Sequence, residues 1–401
     1  MYKRRPSLKK ESFTFLKRSF CSIKNGFNFN IGNPVVVEES RNSRTVILNR
    51  PHALNALSTP MGVRLTELYE SWEKDPNVAF VVMKGNGRAF CSGGDVVKLY
   101  QLITQGKFEE CKDCFRTFYR FMHLLATYSK PNVAIVDGIT MGGGAGISIH
   151  GSFQVATEKT VFCVPEILIG HHPDAGASYY LSHLPGYLGE YLGLTADKLS
   201  GEEMYNCGLA THFSLSKKLP LMENQLGKFS SPSFSAMKNF LDSHSHHSHL
   251  NHPNLLHRVD LINKCFGHGT VEEIINSLER EAKIRKDEWC ISTVRKLKEA
   301  PPLSLKISLR SIREGRYQSL EECLAREYKI TLRTISSQIS NNFCQGVRAR
   351  LVDKSLTPKW DPPSLEQVSE DMVEAYFAPP NAYEPDLDLP TTKLREASLI
   401  M

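Results

Sequence analysis

Three times in its first half the chain runs an apolar stretch straight into a loop rich in glycine or proline. "VAFVVMKG" leads to "GNGRAFCSGGD", "KPNVAIVDG" to "MGGGAGISIHG", and "QVATEKTVFCV" to "PEILIGHHPDAGASYY". Short apolar runs bounded by turn residues read as buried strands. Between them lie helical patterns, one over "STPMGVRLTELYESWEKD", starting near Pro60, and one over 108–128. Strand and helix therefore alternate, which is α/β, but the units are too short and too Gly-interrupted for a simple doubly wound sheet. A hairpin over 35–49, "VVVEESRNSRTVILN", precedes them.

Each of the three loops offers unpaired backbone N–H groups at the end of a buried strand. In "FCSGGDV", Gly93 and Gly94 let the backbone approach a ligand without interference from a Cβ, and Asp95 is placed to cap the following helix. In "MGGGAG", Gly142, Gly143 and Gly144 precede a predicted helix, whose dipole favours negative charge at its start. Two such N–H groups facing one carbonyl oxygen make an oxyanion hole. Neither run has the spacing of a phosphate loop or a dinucleotide fingerprint. The third loop carries Glu166 after Pro165 and, eight residues on, Asp174 after Pro173, with His171 and His172 between. A carboxylate whose pKa is raised by burial or by a second acid suits acid/base or nucleophilic work. The same residues also serve as a helix-capping Glu and a turn-forming Asp.

The formal net charge of +6 is unevenly placed. Residues 1–30 hold eight Lys and Arg against the single acid Glu11, so the rest of the chain is nearly neutral. An acid-poor, basic, Ser-containing start reads as a mitochondrial targeting segment with cleavage near "KRSFCS". A near-neutral body argues against extensive phosphate contact. No apolar run approaches the ~20 residues a membrane helix needs. Ten cysteines in 401 residues are too dilute for a disulfide scaffold, and Cys111 and Cys114 fall on one face of the 108–128 helix, where they read as packing. Residues 243–257, "SHSHHSHLNHPNLLH", hold six histidines without acids or cysteines to fix a metal geometry, which reads as a surface loop. The divisions expected are a targeting segment (1–30), a core (34–228), a His/Ser-rich insertion (229–270), a helical region (271–380) and an irregular tail (381–401).

In order and spacing the three loops resemble the crotonase (enoyl-CoA hydratase) superfamily, and most nearly its 3-hydroxyisobutyryl-CoA hydrolases. The C-terminal "GVRARLVDKSLTPKW" is similar to that hydrolase branch too. The resemblance implies a crotonase-type ββα spiral core with a C-terminal helical region. It implies that Gly94 and Gly143 supply oxyanion-hole amides. Gly146 stands where hydratases carry the first of two catalytic glutamates, and glycine cannot do acid/base chemistry. Glu166 occupies the second glutamate position, and Asp174 stands where the hydrolases have aspartate. The implied reaction is hydrolysis of 3-hydroxyisobutyryl-CoA in valine breakdown, in the mitochondrial matrix. Neither a metal nor a redox cofactor is needed, coenzyme A being part of the substrate.

The chain departs from the hydrolase pattern at several positions. Phe118 in "FRTFY" replaces a common acid near the substrate, and "GHHPD" replaces "GLFPD". Asn342 and Gln345 stand where relatives carry Asp and Glu. Phe118 and His172 are candidate pocket residues, and His172 either pairs with Asp174 or makes an ordinary loop contact. Some mitochondrial ribosomes have recruited proteins resembling this hydrolase into the small subunit, which implies an alternative, structural role with reduced or no activity. The oligomeric state is left open.

Overall fold

The computed structural model describes residues 32–229, 233–246, 255–355, 357–379 and 386–390. The basic N-terminal segment, most of the histidine tract and most of the C-terminal tail lie outside the described residues.

The predicted hairpin forms from β1 (Val35–Ser40) and β2 (Ser43–Leu48), antiparallel, with Arg41 at positive φ in the turn. Beyond it the chain winds into a spiral of ββα units. β3 (Phe80–Gly85), β5 (Asn132–Val136) and β7 (Phe153–Ala156) lie side by side and parallel in one sheet, completed by β10 (His212–Phe213). Each of the first three is succeeded within a few residues by a short strand of a second sheet: β4 (Ala89–Cys91), β6 (Ile139–Met141) and β8 (Val161–Cys163), with β9 (Leu199–Ser200) at its edge. "QVATEKTVFCV", read as one strand, is thus two strands in different sheets, because the turn at 157–160 redirects the chain. The loops around "AFC" and "ITM" likewise contain strands. At three residues, fully buried, such strands show no alternation to read.

The larger sheet is buried on both faces, as parallel sheets usually are. Along β3, Val81 and Met83 join the main core, whereas Phe80 and Val82 join a second cluster. That cluster is closed by the helices Leu219–Leu226 and Phe234–His244, through Met222, Leu226, Met237 and Leu241. The beginning of the stretch read as an insertion therefore covers the sheet.

Helices Val259–Phe266, Val271–Arg285, Glu288–Glu299, Pro302–Gly315 and Leu320–Ser336 form the C-terminal region. Ser319 and Glu322 make a reciprocal capping box at the start of the last of these. It packs against the helix Phe108–Thr127, and Tyr328 meets Tyr119 with ring centroids 5.8 Å apart. The nine cysteines among the described residues are free and buried. Burial pushes the Cys111 thiol up to about 12, in keeping with a packing role. No helix among the described residues is long and apolar enough to cross a membrane.

Candidate active site

β4, β6 and β8 are parallel neighbours, so the loops leaving their C-terminal ends emerge side by side. This is how segments far apart in the chain meet. A cavity of about 120 Å³ opens there, lined by Gly93, Gly94, Gly142, Gly143, Glu166 and Asp174 among others.

Gly94 forms a parallel bridge with Leu57 that uses the flanking groups: Leu57 N–H donates to Gly93 O (2.8 Å) and Asp95 N–H to Leu57 O (2.9 Å). The N–H of Gly94 itself is left to the cavity. Gly143 opens the helix Gly143–Ile149, and its N–H is one of those a helix start cannot pair internally. A Cβ on Gly143 would lie 3.6 Å from Gly94 N, so the two amides border the same space. Asp95 caps the next helix as expected, accepting from Lys98 N–H, and is held by Arg50 at 3.0 Å. Two glycines here have no substitute. Gly93 and Gly142 have φ of 105° and 52°, and a Cβ on Gly142 would strike Glu166 Oε1.

Glu166 is therefore packed directly against the second glycine loop. Its Oε2 is buried and makes no hydrogen bond. Burial first, then the nearby Asp174, push the Glu166 carboxyl well above the usual carboxylate range. Asp174 Oδ2 accepts a hydrogen bond from the Tyr119 hydroxyl at 3.1 Å. The following Ala175 is left-handed (φ 65°), and His150 Nε2 holds its carbonyl at 3.0 Å. Burial pushes the His150 ring down to about 4; the ring is neutral, and this nitrogen carries its one proton and donates. Next in the chain, the Gly176 and Ser178 N–H groups donate to the two oxygens of Glu327, at 2.6 and 2.7 Å. A fully buried carboxylate from the Leu320–Ser336 helix thus pins the loop that carries Asp174.

Gly146 is walled in. A Cβ there would lie 2.7 Å from Ala175 O, 2.9 Å from Ala175 Cβ and 2.9 Å from Met122 Cε. The Asp174 loop fills the room a side chain at 146 would need. Gly146→Ala is expected to destabilise the protein by about 1–3 kcal/mol, as overpacking does. Denaturant titration checks this, and an unchanged midpoint would show that the loop yields.

Phe118 lines the cavity, but His172 does not. The expected alternative of a His172–Asp174 pair is overturned. The Pro173 carbonyl can only accept, so His172 Nδ1 donates to it (3.0 Å), and Nε2 meets the Thr331 hydroxyl at 3.1 Å. The loop turns so that His171 faces the cavity, with Nε2 3.8 Å from Asp174 Oδ2. Burial holds the His172 ring well below the usual histidine range, so it is neutral. Thr331 in turn lies 3.2 Å from the Tyr119 hydroxyl. Asn342 and Gln345 do not line the cavity. Asn342 clamps residue 361, donating to Asp361 O and accepting from Asp361 N–H, both at 2.8 Å.

Sequence reasoning did not single out Tyr119, Glu327, Thr331 or Arg350, the last of which lines the cavity with Leu351. The available signal was polar residues on otherwise buried helix faces: Glu327 and Thr331 fall one turn apart among the buried Leu324, Tyr328 and Ile330. Tyr119→Phe is expected to lower catalytic efficiency about tenfold, the scale of one hydrogen bond to a charged group. Steady-state kinetics tests it, and an unchanged kcat/KM would remove Tyr119 from the site. Among the described residues, no group of three or more His, Cys, Asp and Glu side chains is placed to hold a metal ion.

A family model described as enoyl-CoA hydratase/isomerase matches residues 43–377. The chain is 57% identical to 3-hydroxyisobutyryl-CoA hydrolase-like protein 1, mitochondrial, of Arabidopsis thaliana, over 95% of this chain and 94% of that one. It is 53% identical to the small ribosomal subunit protein mS47 of the same plant, over 90% and 88%. Among solved structures, a carnitinyl-CoA dehydratase from Mycobacterium thermoresistibile superposes with a TM-score of 0.81 at 31% identity, covering 90% of this chain and 100% of that one. The spiral of ββα units, the paired glycine loops and these matches agree: the chain belongs to the enoyl-CoA hydratase/isomerase family, on the branch of the 3-hydroxyisobutyryl-CoA hydrolases and their relatives.

Proposed function

We propose that the protein hydrolyses a short branched acyl-CoA thioester, 3-hydroxyisobutyryl-CoA, to 3-hydroxyisobutyrate and coenzyme A, as a step of valine breakdown in the mitochondrial matrix. The observation that carries this reading is the meeting of Glu166 and Asp174 with two free amides in one cavity, while position 146 has no room for a second glutamate.

In this reading the thioester carbonyl oxygen sits between the Gly94 and Gly143 N–H groups, which stabilise the charge that develops on it. Glu166 attacks the carbonyl carbon or takes a proton from the water that does. Oε2 of this carboxyl makes no hydrogen bond, so it is not committed to a structural partner. Asp174, steadied by Tyr119, contacts the acyl substituent and helps a proton reach the departing thiolate. By either route one water is consumed, and the products are a carboxylic acid and a thiol. These steps need neither a metal nor a redox cofactor.

The relative named mS47 supports a second reading, a structural component of the mitochondrial small ribosomal subunit. The cavity weighs for the enzyme, because an unpaired buried carboxyl is costly to keep and a scaffold has no use for one. Purified protein should release thiol from 3-hydroxyisobutyryl-CoA. Absence of release, together with salt-resistant co-sedimentation with the small subunit from organelle lysate, would replace the first reading by the second.

A further inference from the structure

Residues 386–390, "DLDLP", lie across two of the helices that support the site. Exposure alternates along them: Leu387 is 7% exposed and belongs to the main core, Leu389 packs against that core, and Asp386, Asp388 and Pro390 are exposed. An extended segment turns alternate side chains to opposite sides, so one side of this one is apolar and docked. The acids flanking Leu387 fix where. Lys329 Nζ lies 3.5 Å from Asp386 Oδ1. Arg120 donates from Nε to Asp388 O at 3.0 Å and from Nη2 to Asp388 Oδ2 at 3.4 Å. Lys329 belongs to the helix Leu320–Ser336 and Arg120 to the helix Phe108–Thr127. Leu387, held between them, therefore sits over the seam where the two helices pack.

The residues next to those two cations meet inside the seam. Tyr119 precedes Arg120 and Tyr328 precedes Lys329; both are buried, with ring centroids 5.8 Å apart, edge to face. The Tyr119 hydroxyl donates to Asp174 Oδ2 at 3.1 Å and lies 3.2 Å from the Thr331 hydroxyl on the facing helix. Its place therefore depends on the spacing of the two helices, and a hydrogen bond weakens steeply when its geometry degrades. The ion pairs are too exposed to hold that spacing. The Asp386 and Asp388 side chains are 73% and 89% exposed, and such pairs contribute little. The buried leucine is the group that holds the segment down.

We propose that residues 386–390 form a strap across this seam, and that Leu387 is a positioning residue that keeps the Tyr119 hydroxyl on Asp174. Its effect on turnover rests on the hydrolase reading above. A segment docked by so few buried groups opens more readily than the core beneath it. Opening lets the two helices drift apart, and Asp174 loses its steadying contact although no residue of the cavity has changed.

Thiol release from 3-hydroxyisobutyryl-CoA tests this with the full chain, Leu387→Ser, a chain ending at Pro385 and a control chain ending at Pro390. Leu387→Ser and the shorter chain should lose about fivefold in kcat/KM, somewhat less than removal of the Tyr119 hydroxyl costs, and the control should lose nothing. In a Tyr119→Phe background the same two changes should alter kcat/KM by less than about twofold, because the contact they act through is already gone. Leu387→Met, which refills the seam, should restore the wild-type rate. A fivefold loss that persists in the Tyr119→Phe background would mean that the strap is merely structural, and overturns the proposal. An unchanged kcat/KM in the shorter chain overturns it as well. Should Leu387→Ser fail to fold, the two truncated chains decide. If the full chain releases no thiol, the hydrolase reading falls and hydrogen exchange decides for the strap. Amides of 108–127 and 320–336 should then lose protection in the chain ending at Pro385 relative to the one ending at Pro390, and equal protection would reject the strap too.

Discussion

Glu166→Gln is expected to reduce thiol release from 3-hydroxyisobutyryl-CoA by at least about a thousandfold, within the range that loss of a positioned acid or base produces. The amide has the size and shape of the acid, so the contact with Gly142 survives and binding of the thioester should be nearly unchanged. The capacity to take a proton or attack a carbon is lost. The fall should therefore appear in kcat, with KM moving little. Residual activity within tenfold of the wild type would show that another group does the chemistry. The pH profile carries a second signature. Burial, and then the charge of Asp174, raise the Glu166 carboxyl well above its ordinary range. Only the ionised form is reactive, so kcat/KM should climb with pH along an acid limb that lies above the usual carboxylate region. Asp174→Asn removes the larger of the two nearby charges that raise it, the other being Glu327, and should move that limb to lower pH in whatever activity remains.

The elements of the site that could be read from the chain are those whose chemistry is local. Glycines at strand ends, a proline before each acid and the absence of an acid at 146 are properties of single short segments, and they placed Gly94, Gly143, Glu166 and Asp174 together through the resemblance of the whole pattern. The two-sheet spiral was implied by that resemblance; three-residue strands such as Ala89–Cys91 have no periodicity of their own. The groups that hold the site arrive from far along the chain. Tyr119 reaches Asp174 across 55 residues, and Glu327 reaches Ser178 across 149. Helical periodicity assigns such residues to a face without naming the partner. The histidines show the same boundary within a loop. The chain alone leaves His172 open to a pair with Asp174 or to an ordinary loop contact; the backbone turns its ring toward Thr331 and its neighbour's ring into the cavity wall.

The largest expected loss of stability from a single polar change belongs to Glu327. Its side chain is fully buried, and its two oxygens accept the N–H groups of Gly176 and Ser178 at the start of the helix Ala177–Ser182. Glu327→Ala leaves both donors buried without partners, at roughly 1–3 kcal/mol each, so a loss of about 2–6 kcal/mol is expected. Activity should fall with it, because Asp174 lies two residues before the first of those donors. Glu327→Gln separates the hydrogen bonds from the charge. One amide oxygen can still accept, but the amide nitrogen faces the other N–H, so this variant too is less stable than the wild type at pH 5. The difference should narrow as the pH rises. Burial above all lifts the Glu327 carboxyl from 4.5 to about 7, with Asp174 adding to it and the hydrogen bonds from Ser178 and Gly176 opposing it. A carboxyl raised on folding favours the folded state most below its unfolded value and loses that contribution as the pH passes its folded value. Between about pH 4.5 and 7 the wild type should lose up to about 3 kcal/mol through this group, and Glu327→Gln, which cannot titrate, should not. Urea midpoints of the two proteins, measured at half-unit steps from about pH 4.5 to 8, should therefore converge; parallel curves would mean that Glu327 stays ionised throughout and acts only as a cap.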